Sequence, residues 1–155
     1  MSKETRKEKF RRIAEKRMTR IFSDMNLIAN LSNRNNYVYS SQEVEEFFRA
    51  YEDKGKEIRA YFEVEIPVRQ PLSTTFSFSD NNDSKEVKNT KFKSIAEKRM
   101  TRMFSDMNLI ANLSNKKNYT YTAQEIDELF QAYEDKGKEI KRYFEPLKEE
   151  FTFSS

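Results

Sequence analysis

Arg12, Lys16 and Arg20 stand four residues apart, the spacing that sets side chains in a row along one side of a helix. Such a row attracts carboxylates and phosphates, and a guanidinium can hold either through paired hydrogen bonds. The row continues with Ser23, Leu27 and Asn30. Lys16, Arg20, Leu27 and Asn30 recur farther on as Lys98, Arg102, Leu109 and Asn112. A polar surface of Arg, Ser and Asn around one large apolar residue reads as a contact surface rather than a solvated wall. Just beyond it, Arg34 and Asn35 have Lys116 and Lys117 as counterparts, each pair beside an Asn-Tyr dipeptide. Cations next to Asn and Tyr can hold phosphates and stack on bases. The same residues also make tight turns, and their rings can seal the end of a helical bundle.

Other chemistries find few residues. There is no Cys, which removes disulfides, thiol nucleophiles and Cys metal sites, and no His, the usual neutral-pH acid/base and metal ligand. Phosphate-cradling loops need several glycines, and the only two are Gly55 and Gly137. Acidic residues such as Glu45, Glu46, Glu52, Asp53 and Glu57 fall on what would be the outer side of a second helix, where charges are usually solvated. The expectation is a non-enzymatic protein without cofactor or metal. No apolar run reaches transmembrane length, and residues 1–9 are charged where a secretory signal would be apolar. That pattern suits a cytoplasmic protein without membrane contact.

The elements that would position these residues are written twice. Residues 10–63 align with 92–145 at a constant offset of 82, without a gap, and 40 of the 54 positions are identical. Ser2-Lys3-Glu4 returns as Ser84-Lys85-Glu86. Pro71-Leu72 and Phe76-Ser77-Phe78-Ser79 return as Pro146-Leu147 and Phe151-Thr152-Phe153-Ser154, so seven residues, 64–70, are extra in the first copy. The chain divides into a first repeat, 1–80, a junction, 81–83, and a second repeat, 84–155. A unit of that size buries little alone, which points to a shared core.

In each repeat the apolar residues follow helical spacing. Phe10, Ile13, Ala14, Met18, Ile21, Phe22, Met25, Ile28 and Leu31 lie on one side of a helix over about 4–32. Asn33 is a plausible left-handed stop. Ser40-x-x-Glu43 and Thr122-x-x-Glu125 are capping boxes, and Tyr39 with Val44 occupies the positions of a hydrophobic staple. They open helices over about 41–63 and 123–145; the second repeat's first helix covers about 86–114. Gly55 and Gly137 fall inside helices, where Gly costs about 1 kcal/mol against Ala. Either a neighbouring helix approaches closely there, or one helix ends and a short third begins. The FxFS segments, in tails 64–80 and 146–155, either cover the bundle or pair as a short strand, or else dock on another protein by strand addition. The fold class is all-α: two tandem helical hairpins packed as a pseudo-twofold antiparallel four-helix bundle, an intramolecular pseudo-dimer in a monomeric chain.

Charge is segregated. Residues 1–34 carry a net +6 and residues 35–66 a net −4. The simplest account is an acidic helix lying beside a basic one. Yet cations at the start of a helix oppose its dipole, so folding does not favour that placement, and an external anion would. Between the repeats, positions 13–33 differ once, Ile21 against Met103, while positions 34–63 differ eleven times.

Leu31-Ser32-Asn33-x-x-Asn36-Tyr37-x-Tyr39, ahead of a capped helix, resembles the centre of short helical-hairpin proteins of bacterial phages and plasmids. The resemblance implies a helical hairpin and a mobile-element setting, but no activity and no catalytic residue. The residues together favour a non-catalytic binding module, an accessory or inhibitor protein whose partner is another protein or a protein–nucleic acid assembly. The alternative is a nucleic-acid-binding protein that lays the same basic helices on phosphate backbones.

Overall fold

The computed structural model describes residues 3–63, 72–79, 86–145 and 151–154. Four α-helices carry the fold: α1 (Arg6–Ala29), α2 (Ser41–Glu63), α3 (Val87–Ala111) and α4 (Ala123–Lys141). Single 3-10 turns follow α1 at Asn30–Ser32, α3 at Asn112–Ser114 and α4 at Arg142–Phe144. No strand occurs among the described residues. None of these helices is long and apolar enough to cross a membrane. The junction 81–83, the segment 64–71 and the helix stop at Pro146 lie outside the described residues.

Local chemistry explains the ends. The Ser40 hydroxyl accepts from the Glu43 N–H at 3.1 Å while the Glu43 carboxylate accepts from the Ser40 N–H at 2.9 Å. Thr122 and Glu125 repeat the arrangement. Thr5 and Glu8 form a third capping box, at the start of α1. Asn33 does end the first helical stretch, but not in the left-handed conformation: its backbone is extended, φ −68° and ψ 104°. Its side chain instead accepts from the Asn35 N–H at 2.9 Å, and its carbonyl accepts from Asn36 and Tyr37. That local turn replaces a left-handed cap.

Both helices with an internal glycine run through it unbroken. A Cβ on Gly55 would sit 2.5 Å from Cε1 of Tyr133, and one on Gly137 would collide with Tyr51 in the same way. Close approach of a neighbouring helix is therefore the reason for the glycines. The Tyr51 and Tyr133 rings stack at 4.0 Å, and each hydroxyl donates to the other residue's carbonyl, at 2.5 and 2.6 Å.

The helices pack across the repeats rather than within them. α1 lies against α3 and α4, α2 lies against the same two, and α1 and α2 barely touch. The two helices of each repeat thus sit on a diagonal. Arg17 pairs with Leu109 and Arg99 with Leu27, so α1 and α3 are antiparallel. Arg59 with Asp127, beside the Tyr51–Tyr133 stack, makes α2 and α4 antiparallel as well. Asn89 with Glu43 and Lys54 with Phe104 make α2 and α3 parallel, an orientation the expected antiparallel packing lacked. One core results, in which Ile21, Met25, Ile28, Phe47, Phe92, Met103, Met107 and Ile110 are fully enclosed. Burial of each such side chain contributes about 1.5–3 kcal/mol. Tyr39 and Phe144, from different repeats, meet at 5.4 Å near one end.

The two tails differ. Residues 72–79 lie extended over α2 and α3 with Phe76 and Phe78 buried. Phe151 and Phe153 are exposed.

Candidate functional site

Because the two helices of each repeat are diagonal, the two basic helices α1 and α3 form one side of the bundle and the two acidic helices α2 and α4 form the opposite side. The net charges are +5 on α1, +4 on α3 and −3 on each of α2 and α4. The candidate residues at Arg12, Lys16, Arg20, Leu27 and Asn30 therefore share a face with Lys98, Arg102, Leu109 and Asn112.

Arginines fix this face. Arg17 donates to the Leu109 carbonyl at 2.7 Å, and Arg99 donates to the Leu27 carbonyl at 2.5 Å. Both carbonyls belong to the last turn of an α-helix, where intrahelical donors run out. A cation there also suits the negative end of the helix dipole. Folding thus does favour part of the positive charge in the first half of α1: its antiparallel neighbour presents the end that wants it.

The candidate residues fare differently. Arg12 is held by Glu4 through two hydrogen bonds, at 2.8 and 3.0 Å. Arg20 reaches Asp106 at 3.8 Å. Arg34 stacks over Tyr39 at 4.5 Å, and the Lys116 ammonium lies 5.7 Å from the Tyr121 ring. Both tyrosine hydroxyls bond back to the preceding 3-10 turn, at the Ser32 and Ser114 carbonyls, so these rings seal the ends of the bundle. Tyr37 is half-buried under Lys91. Asn30 and Asn112 stand exposed at the α-to-3-10 junctions. Leu27 is 38% exposed and Leu109 half-buried. Lys16, Lys98 and Lys117 are exposed, and their side chains engage no carboxylate, carbonyl or ring among the described residues.

Beneath the face lies a feature that the charge pattern hid. Asp24 and Asp106 are both buried where α1 crosses α3. Burial of Asp24, then its hydrogen bond with Asp106 and the charge of that carboxylate, push its pKa up to about 8, against the pull of Arg102 and Arg20. Oδ2 of each carboxyl is buried without a hydrogen-bond partner. The signal was available in sequence: Asp24 sits three residues after Ile21 and four before Ile28, on the apolar stripe itself. Paired carboxyls can do acid/base chemistry when a substrate reaches them, and these two are covered. Among the described residues no group of three or more acidic, His or Cys side chains could hold a metal ion.

Comparison with protein-family models, with curated proteins and with solved structures finds nothing that matches this chain.

Proposed function

We propose that this chain is a non-catalytic binding module, built as an intramolecular pseudo-dimer, that docks through the joined α1/α3 face onto an acidic surface of a protein or a protein–nucleic acid assembly. The observation that carries it is the charge division: a net +9 on one side of the bundle and −6 on the other. Lys16 and Lys98, unengaged by the rest of the bundle, would meet the partner's carboxylates or phosphates, and Leu27 would supply apolar contact between them. Support for the pseudo-twofold comes from contacts that map onto each other at the 82-residue offset. Arg17–Leu109 answers Arg99–Leu27, and Tyr51–Tyr133 answers itself. A phage or plasmid accessory or inhibitor protein acting in the cytoplasm would have this character.

A second reading, direct binding of DNA or RNA, is favoured by one observation: the acidic helices face away from the basic side, so they would not repel a phosphate backbone. Titration of mixed DNA and RNA fragments at low and high salt separates the two. Counterion release makes nucleic-acid affinity fall steeply with salt, with a logarithmic slope of about −0.9 per phosphate contacted on duplex DNA. The protein reading expects no such binding, and expects Lys16→Glu with Lys98→Glu to abolish capture of a defined partner while leaving helix content unchanged. Salt-sensitive nucleic-acid binding lost in that variant would transfer the conclusion to the second reading. Partner capture indifferent to the double charge reversal would refute both.

A further inference from the structure

The first repeat's tail reveals what a tail of this sequence binds. The Phe76 N–H donates to Thr101 Oγ1 at 3.1 Å, the Phe78 N–H to Glu97 at 2.8 Å and the Ser79 N–H to Glu46 at 2.6 Å. The Ser73 carbonyl accepts from Lys54 at 2.9 Å and from Asn108 at 3.2 Å. The Phe76 ring lies 6.3 Å from Phe104 and the Phe78 ring 6.2 Å from Phe92. The segment fills the groove between α2 and α3.

The groove between α4 and α1 carries the same set. At the 82-residue offset, Thr101, Glu97, Glu46, Lys54, Asn108, Phe104 and Phe92 become Thr19, Glu15, Glu128, Lys136, Asn26, Phe22 and Phe10, with every identity kept. Lys136 lies over Phe22 at 5.2 Å as Lys54 lies over Phe104 at 5.1 Å. Here, however, the groove is open, with a cavity of about 430 Å³ bordered by Phe10, Glu15, Thr19, Phe22 and Glu128. Thr19, Asn26, Glu15 and Glu128 are exposed where their covered counterparts are half-buried.

A matching segment exists. Phe151-Thr152-Phe153-Ser154 corresponds to Phe76-Ser77-Phe78-Ser79, and its rings stand 73% and 86% exposed. They pair edge-to-face at 4.9 Å and 79°, almost the 5.0 Å and 79° of the docked pair. The segment thus already holds the arrangement of rings that fits. Its own groove is a poor destination. Phe76 sits between the levels of Lys54 and Glu46, so its counterpart position lies near Ala132, thirteen residues back along the helical path from Glu145, or about 20 Å. Six extended residues from Glu145 to Phe151 reach about 20–22 Å at most. Nothing is left for the reversal of direction or for the sideways step. The first repeat has the seven additional residues 64–70 for that purpose.

We infer that the α1/α4 groove receives the Phe151–Ser154 segment of a second copy of this chain. The backbone N–H groups of Phe151, Phe153 and Ser154 would donate to Thr19, Glu15 and Glu128. Each chain offers one segment and one groove, and mutual exchange closes a dimer. This departs from the expectation of a monomeric chain.

Sedimentation of the full chain over a range of concentration tests it. The expected result is a reversible shift from monomer to dimer as concentration rises, lost in Phe151→Ser/Phe153→Ser and lost separately in Thr19→Arg. These three positions are exposed, so circular dichroism should be unchanged. A labelled peptide of residues 146–155 should bind the Phe151→Ser/Phe153→Ser chain and not the same chain carrying Thr19→Arg. Monomer at every concentration, or dimer unaffected by the variants, overturns the inference. So does hydrogen-exchange protection of the Phe151 and Phe153 amides that is independent of concentration, since that would place the segment in its own groove.

Discussion

Gly55→Ala should destabilise this protein even though it improves the helix. In an exposed helix the change would gain about 1 kcal/mol. Here the new methyl would lie 2.5 Å from Tyr133 Cε1 and 3.0 Å from Cδ1, where carbon atoms prefer about 3.5–4.0 Å. The Tyr133 ring must retreat by roughly 1 Å to restore that separation. It is stacked on Tyr51 at 4.0 Å, and its hydroxyl is tied to the Tyr51 carbonyl at 2.6 Å. Overpacking of this kind costs about 1–3 kcal/mol, and loss of the hydroxyl's hydrogen bond about 0.5–1.5 kcal/mol more. Net of the helix gain, the loss should be about 0.5–3.5 kcal/mol, or about 2–4 °C in Tm for each kcal/mol in a chain of this size. Urea unfolding followed by circular dichroism reads it directly. Gly137→Ala should match it, because it strikes the other ring of the same stack. The double variant should lose less than the two together, since a stack already displaced yields again more cheaply. A Gly55→Ala chain that unfolds at higher urea than the parent would refute the close-approach explanation.

Asp24→Asn should stabilise the fold more at pH 8 than at pH 5. The carboxyl's folded pKa of about 8 lies above its ordinary 3.8, so between those values the native state keeps a proton that the unfolded chain has released. The stability tied to this group is complete below about pH 4 and is lost as pH rises towards 8; Asn, always neutral, escapes the loss. Urea midpoints at several pH values check it, and a gap between variant and parent that narrows with rising pH would contradict it. Residues 1–80 alone should form a homodimer or fail to fold, because α1 and α2 each find their neighbours in the other repeat. A helical monomer on a sizing column would show that one repeat can bury its own core.

The helices were legible because apolar spacing and capping boxes are local signals. Ser40-x-x-Glu43 announces a helix start whatever lies beside it. The third box, Thr5-x-x-Glu8, was as readable as the other two and was hidden by the lysines and arginines around it. Partner choice was less legible. An apolar stripe says which side of α1 is covered and nothing about whether α2 or α3 covers it, so the diagonal placement had no sequence signature. The glycines hint at it, but in sequence Gly55 and Gly137 fit either a close approach or a helix break, and they do not name the approaching residue. The residue was the tyrosine four positions before the other glycine. Of the candidate face, Lys16, Lys98 and Leu27 stand as the helical projection placed them. Arg12 and Arg20 turned to carboxylates, one eight residues away in sequence and one on another helix, which no projection of a single helix reveals.

The diagonal topology sets a problem that the basic side must solve. Packing helices of +5 and +4 against each other brings like charges together, and a field of one sign opposes compaction. Internal groups offset part of it. Arg17 and Arg99 are met by helix-end carbonyls, Arg20 lies near Asp106, and the acidic side chains of Asp24 and Asp106 are buried on these two helices. Lys16 and Lys98 gain nothing from these devices, and neither is needed to pack the core. Their replacement by neutral residues would relieve the repulsion at no structural cost, yet both repeats keep them where the acidic helices have changed at several positions. The anionic partner proposed above would account for charge that the fold itself has no use for.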